Sequence, residues 1–247
     1  MKIALIGYGK MGKAIERLAV KSGHEIVLKV NSENRSTFSA ADLKDADVAI
    51  EFSKPDQVSK NIMIAFEANV PVVCGTTGWS AQMEEVEKFC QANGKTFFYA
   101  SNYSIGVNLF YVINMRLAEL MNSQPQYDEV LLHESHHTAK LDSPSGTAIA
   151  LAKQILAEVK RLKHWVNYKA DESIDLHGDS DDELPIFSTR EEDTIGTHIV
   201  KYFSDTDEIE IIHKALSRDG FALGALQAAE WVKGKKGVFG MNDLLKL

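Results

Sequence analysis

Through roughly the first hundred positions, short apolar runs alternate with stretches of helical period. Residues 2–6, 25–30, 47–52, 70–74 and 96–100 are apolar, rich in β-branched and aromatic side chains, and predict strands. The spacing of residues 11–22, of the segment from Pro55 to about Asn69, and of 81–92 predicts helices. Gly23 and Gly94 stop the first and last of these, and Ser80 caps the last. Such alternation predicts βαβ units and a parallel sheet with helices on both faces. Beyond about residue 125 the rhythm changes. Residues 128–135 predict a strand and 143–163 contain a long helix; then 186–190, 197–203 and 208–215 follow as strand-like runs with no helix between them. Consecutive strands on short connections predict an antiparallel or mixed sheet, hence a second domain. A final amphipathic helix, 220–233, is placed to pack back on the first domain.

Composition narrows the classes. The 247-residue chain carries a net charge of −8 and 45% hydrophobic residues, the balance of a folded globular protein. It shows no basic stripe of the kind that nucleic-acid binders present, so no nucleic-acid partner is expected. Cys74 and Cys90, the only cysteines, cannot make a disulfide framework and fit a reducing cytoplasm. No apolar run approaches the ~20 residues that cross a bilayer, and residues 3–6 are too few for a signal-peptide core. Residues 171–183 hold seven carboxylates and little apolar content, and predict a solvated surface loop rather than a metal site. A cytoplasmic enzyme or small-molecule binder remains.

Gly7-Tyr8-Gly9-Lys10-Met11-Gly12 is a G-x-G-x-x-G string that follows the first strand and opens the first helix. Its first glycine permits the tight turn, the second lets backbone approach a pyrophosphate, and the third lets helix and strand pack closely. The helix start then offers free N–H groups and the positive end of its dipole to phosphates. An acidic residue is the usual ribose ligand at the end of the second strand; here Asn31 stands nearest that place, with Lys29 and Arg35 beside it. An amide binds ribose without repelling a 2′-phosphate, so NADH and NADPH both remain open. The expected fold is α/β, with a Rossmann-like dinucleotide-binding domain and an α+β substrate domain built on an open mixed sheet.

His133-Glu134-Ser135-His136-His137 satisfies H-E-x-x-H, the zinc-protease string, which requires both histidines on one helical face. The preceding Glu129-Val130-Leu131-Leu132 fits a strand instead, Pro144 and Gly146 follow closely, and no metal is expected. The longer stretch from His136 to Ala148 reads better as an anion site. Ser143 serves as N-cap and Pro144 as first helical residue, so the N–H groups of Ser145, Gly146 and Thr147 face outward at the helix start. His136, His137 and Lys140 place titratable groups beside it.

The run His136-His137-Thr138-Ala139-Lys140-Leu141-Asp142-Ser143-Pro144-Ser145-Gly146-Thr147-Ala148 resembles the signature of the 4-hydroxy-tetrahydrodipicolinate reductase (dihydrodipicolinate reductase) family of bacterial lysine biosynthesis. Ile50-Glu51-Phe52-Ser53, Gly75-Thr76-Thr77-Gly78, the string from Ala100 to Asn108, His213-Lys214-Ala215 and Ser217-Arg218 follow the family's order. The resemblance implies a cofactor domain of 1–104 and 219–247, and a substrate-binding and oligomerisation domain of 105–218 in a homotetramer. It implies reduction of a cyclic imine dicarboxylate by NADH or NADPH. It makes His136 and Lys140 the proton donors, and His137, Ser145, Gly146 and Thr147 the substrate contacts. Gly7, Tyr8, Gly9, Lys10, Met11, Gly12, Asn31, Gly75, Thr76, Thr77, Ala100, Ser101, Asn102, Tyr103 and Arg218 would line the cofactor. Family members often carry one more residue in the glycine turn and an acidic residue where Asn31 stands. Another Rossmann dehydrogenase of amino or keto acids would share the glycine turn without reason to carry the His136–Thr147 string. A non-catalytic dinucleotide sensor would not need His136 and Lys140.

Overall fold

Alternate residues of the first strand, β1 (Lys2–Ile6), serve two cores: Ile3 and Leu5 enter one, Ala4 and Ile6 the other. A strand buried on both faces has no polar side to present, which explains its unbroken apolar run. The computed structural model describes residues 1–169 and 180–247. The expected acidic loop therefore lies, through residue 179, outside the described residues. The chain divides into two compact units, Met1–Ile105 with Asp219–Leu247, and Gly106–Arg218.

In the first unit β1, β2 (Glu25–Val30), β3 (Val48–Glu51), β4 (Val72–Cys74), β5 (Thr96–Tyr99) and the last strand, β11 (Gly237–Phe239), form a parallel sheet of order β11-β5-β4-β3-β1-β2. Helices α1 (Lys10–Lys21) and α6 (Asp219–Trp231) cover one face through Ile15, Leu18, Ala225 and Leu226. Helices α2 (Val58–Glu67) and α3 (Ser80–Ala92) cover the other through Ile62, Phe66 and Val86. The strand order reverses between β1 and β3, and ligands of such sheets bind beyond the carboxyl ends at that point. The helix expected from Pro55 starts at Val58, because Gln57 first closes a turn onto the Lys54 carbonyl. β11 and the short α7 (Met241–Leu245) are too brief to show a period in the sequence.

The second unit is a mixed five-stranded sheet of order β10-β9-β6-β8-β7. Its strands are β6 (Glu129–His136), β7 (His164–Lys169), β8 (Glu183–Arg190), β9 (Gly196–Phe203) and β10 (Glu208–Ala215). β6 and β7 run parallel to β8, whereas β9 is antiparallel to β6 and β10. One face packs on α4 (Ile105–Met121) and α5 (Gly146–Glu158), with Phe110, Leu151 and Ile155 against Leu132, Ile186 and Tyr202. α4 escaped the sequence reading because apolar residues recur around most of its circumference. Edge strand β7 lacked a neighbouring pattern to set it apart.

Candidate active site

At the carboxyl end of β1 the glycine turn has the shape its sequence demands. Gly7 sits at φ +98°, and a Cβ there would lie 2.1 Å from the Phe52 carbonyl oxygen. A Cβ on Gly12 would lie 2.5 Å from the Gly7 oxygen, so the third glycine seats α1 on the turn. Gly9 is the N-cap without a side-chain cap, and the Lys13 N–H bonds the Gly9 carbonyl. The amides before Lys13 therefore open the helix toward a cavity of about 320 Å³ bordered by Gly7, Gly9, Asn31, Arg35 and Lys54. Asn31 turns its Oδ1 onto the N–H groups of Glu33 and Asn34 at 2.8 and 3.3 Å, so its amide oxygen orders its own loop. Tyr8 donates its hydroxyl to Glu16, which also pairs with Lys29 at 2.5 Å.

A buried carboxylate shapes the neighbouring turn. Glu51, at the end of β3, accepts hydrogen bonds from Thr76 Oγ1 at 2.6 Å, Asn61 Nδ2 at 3.2 Å, Cys74 Sγ at 3.4 Å and the Ser53 hydroxyl. The Thr76 oxygen also accepts the Ser53 N–H at 2.9 Å, so Thr76 faces inward while Thr77 is exposed. Burial, with Glu51 beside it, pushes the Cys74 thiol well above its ordinary range, which leaves it a packing group. Tyr103 is buried as well, and its hydroxyl donates to the Cys74 carbonyl at 2.7 Å. It braces the Gly75–Thr76 turn from beneath. Ala100 is buried too, and its N–H reaches the same Cys74 carbonyl at 3.2 Å, whereas Ser101 is exposed and Asn102 half-buried.

In the second unit the histidine string lies on β6, where successive side chains point to opposite faces. His133 and Glu134 therefore diverge, which removes the helical geometry of a zinc protease. Glu134 is fully buried and gathers partners from separate segments. Its oxygens accept the Ser145 N–H at 3.0 and 3.1 Å and the Ser188 hydroxyl at 2.9 Å, with the Arg190 guanidinium at 3.5 Å. His136 Nδ1 stands 3.2 Å from Oε2, and His198 Nε2 3.9 Å away. Burial raises the Glu134 carboxyl, but His136, the Ser145 N–H and Ser188 overturn that effect and bring it down to about 2. Glu134, His136 and His198 lie close enough to suit a cation, yet protein donors and Arg190 already occupy the carboxylate.

The start of α5 departs from the expectation. Ser145, not Ser143, is the N-cap, its Oγ accepting the Ala148 N–H at 3.1 Å; the Ser143 hydroxyl instead accepts from Asn167 at 3.1 Å. Pro144 thus precedes the helix. Because the Ser145 N–H is bonded to Glu134 and its hydroxyl meets His198 Nε2 at 3.1 Å, Ser145 is a buried brace rather than an open donor. Gly146 and Thr147 are the first helical residues, whose amides lack intrahelical acceptors. Lys140 Nζ rests on both oxygens of Asp142 at 2.8 Å. Arg218 Nη2 is 3.1 Å from His137 Nε2, within this second unit.

Burial and the neighbouring His136 hold His198 down to about 3, so it is neutral in the folded protein. An unfolded histidine takes up its proton near pH 6.5. The stability that His198 contributes is therefore complete above pH 6.5 and is lost as pH falls toward 3. Glu134 adds a second loss only below its ordinary value of 4.5. The melting temperature should drop between pH 7 and 5, and drop less in His198→Gln; parallel curves would exclude His198 as a source.

Both units match one family. Residues 1–103 match the model of the dihydrodipicolinate reductase N-terminus and 106–245 that of the C-terminus. The chain belongs to the dihydrodipicolinate reductase family. It is 47% identical over 247 residues to the 4-hydroxy-tetrahydrodipicolinate reductase of Christiangramia forsetii, covering 99% of this chain and 98% of that protein. The reductase of the same name from Archaeoglobus fulgidus is 33% identical over the full length of both. Among solved structures, a dipicolinate-bound dihydrodipicolinate reductase from Paenisporosarcina sp. TG-14 shares the fold, with a TM-score of 0.74 at 23% identity over 97% of each chain. As a family member the chain is a 4-hydroxy-tetrahydrodipicolinate reductase, an NAD(P)H-dependent oxidoreductase of lysine and diaminopimelate biosynthesis.

Proposed function

We propose that His136 is the proton donor of this reductase, Lys140 the second donor, and the amides of Gly146 and Thr147 the seat of a substrate carboxylate. The observation that carries the reading is the meeting of His136 with the start of α5 through one buried carboxylate. The substrate loses its 4-hydroxyl as water, hydride adds to ring C4 of the conjugated imine, and the resulting enamine takes up one proton on carbon. The dinucleotide supplies that hydride. His136 is placed to give the proton, and Lys140, released from Asp142, to neutralise a carboxylate or to supply the proton with which the 4-hydroxyl leaves as water, balanced by the ring C–H proton lost in that step. The dianion finds positive potential in Lys140 and the helix start although the chain carries a net charge of −8.

The glycine turn, with the Lys10, Met11 and Gly12 amides, fits a pyrophosphate, and the Gly75–Thr77 turn with Ala100–Tyr103 fits the far end of the same cofactor. The corner by Asn31 carries Arg35 and Lys54 but no carboxylate at position 31, which admits NADPH as well as NADH. Supplying the synthase product and following oxidation of each dinucleotide separately tests this. Turnover with both is expected; silence with NADPH would refute the corner, and silence with both the reductase itself.

The chain assembles as a homotetramer through the face of the second sheet opposite α4 and α5, which no described helix of that unit covers, and where Leu131, Phe187, Ile199 and Phe203 share a hollow and Ile212 is 55% exposed. No helix among the described residues is long and apolar enough to cross a membrane. Both cysteines are free, in keeping with a cytoplasmic setting.

A further inference from the structure

None of the roles above employs Glu134, whose side chain is wholly inaccessible. Burying a carboxylate is costly, and packing an apolar residue in its place is often neutral or stabilising. Stability alone therefore gives no reason for a charge here. Its neighbours suggest one. The carboxylate touches the Nδ1 edge of the proton donor and the N–H of the residue that caps α5. Ser188 and Arg190, both on β8, hold it from the side.

We infer that Glu134 is the positioning residue of the reaction: it fixes His136 in one tautomer and ties the proton donor to the helix start that seats the substrate. The inference rests on His136 as donor. Nδ1 has no hydrogen-bond partner of good geometry, but Glu134 Oε2 stands 3.2 Å from it, so a proton there gains the carboxylate's attraction, which leaves Nε2 as the nitrogen that exchanges its proton with the substrate. Gly196 keeps that edge clear, since a Cβ at this position would lie 3.1 Å from His136 Nε2. Other groups near the ring are His198 on β9, its centroid 5.1 Å away, and Arg190, the register partner of His136 on β8, while Lys140 acts on His198 and Asp142 on Glu134. Glu191 donates its N–H to the His136 carbonyl, and His213 on β10 acts on His198. Among these, Glu134 is the only buried anion beside the ring.

Two-bond ¹H–¹⁵N spectra of the labelled full-length protein, assigned with His136→Ala, read the tautomer without any assay. The neutral ring should carry its proton on Nδ1; a proton on Nε2 overturns the inference, and this measurement stands even if a Glu134 variant does not fold. In Glu134→Gln the tautomers should mix. Turnover should fall about 10–100-fold, part of the roughly 10²–10⁴-fold that a positioned acid contributes, with the KM for dinucleotide unchanged. If His136→Ala abolishes turnover while Glu134→Gln alters neither kcat nor the tautomer, Glu134 has no positioning role. Full turnover in His136→Ala would remove the donor itself, whatever the spectra show.

Discussion

His136→Ala lowers kcat by roughly 10²–10⁴-fold, the contribution of a positioned general acid, and leaves dinucleotide affinity nearly intact. The imidazole belongs to the second unit and touches Glu134 and His198, whereas the glycine turn lies in the first. Truncation should therefore remove the proposed proton source without changing the amides proposed to hold phosphate. Equal losses in kcat and kcat/KM are expected, because the proton is passed only in the transition state. Steady-state kinetics with each dinucleotide, beside a fluorescence titration of cofactor binding, distinguish this from a damaged site. Undiminished turnover would remove His136 from the acid role.

Gly224→Ala should cost about 3 kcal/mol or more, an overpacking penalty at the high end of its usual range. Local propensity points the other way, since alanine is favoured over glycine inside a helix by ~1 kcal/mol. The deciding contact is tertiary: a Cβ on Gly224 would lie 1.8 Å from the Tyr103 carbonyl oxygen, a backbone atom with little room to yield. Ala222, Ala225, Ala228 and Ala229, all buried along α6, keep the helix equally close to the sheet. At ~2–4 °C per kcal/mol for a chain of this size, the melting temperature falls by roughly 6–12 °C. Tyr103 bonds the Cys74 carbonyl just before Gly75, so dinucleotide affinity should weaken too. Gly220→Ala, in the first turn of the same helix, meets nothing within 4 Å and should be neutral or slightly stabilising. Similar melting curves for the two variants would show that the close approach at Gly224 does not limit packing.

The contrast between these two glycines marks where sequence reasoning reaches its limit. Gly7 and Gly12 are legible because their function is local: a turn between adjacent elements demands them, and the spacing declares it. Gly224 is opposed by a residue far along the chain, and nothing in the pattern of α6 reports that distance. The helix start at Ser145 shows the same limit. Serines 143 and 145 are equivalent by rule, and Asn167 decides between them by engaging the first. Glu134 carried a visible signal, a carboxylate set just beyond the apolar run 130–132 on a strand, but its place in a zinc string that the context argued against left it without another role.

Periodicity and turn chemistry, acting between neighbours in the chain, determined the parallel and mixed sheets, the glycine turn, and the string holding His136, Lys140 and Gly146. Only the tertiary structure decided what surrounds that string. The hydrogen-bond donors to Glu134 lie between 11 and 56 positions away, at the N-cap of α5 and on β8. A buried charge is stable only where several donors converge, and convergence of that kind is a property of how strands pair and helices pack. It has no period, so the order of residues does not display it.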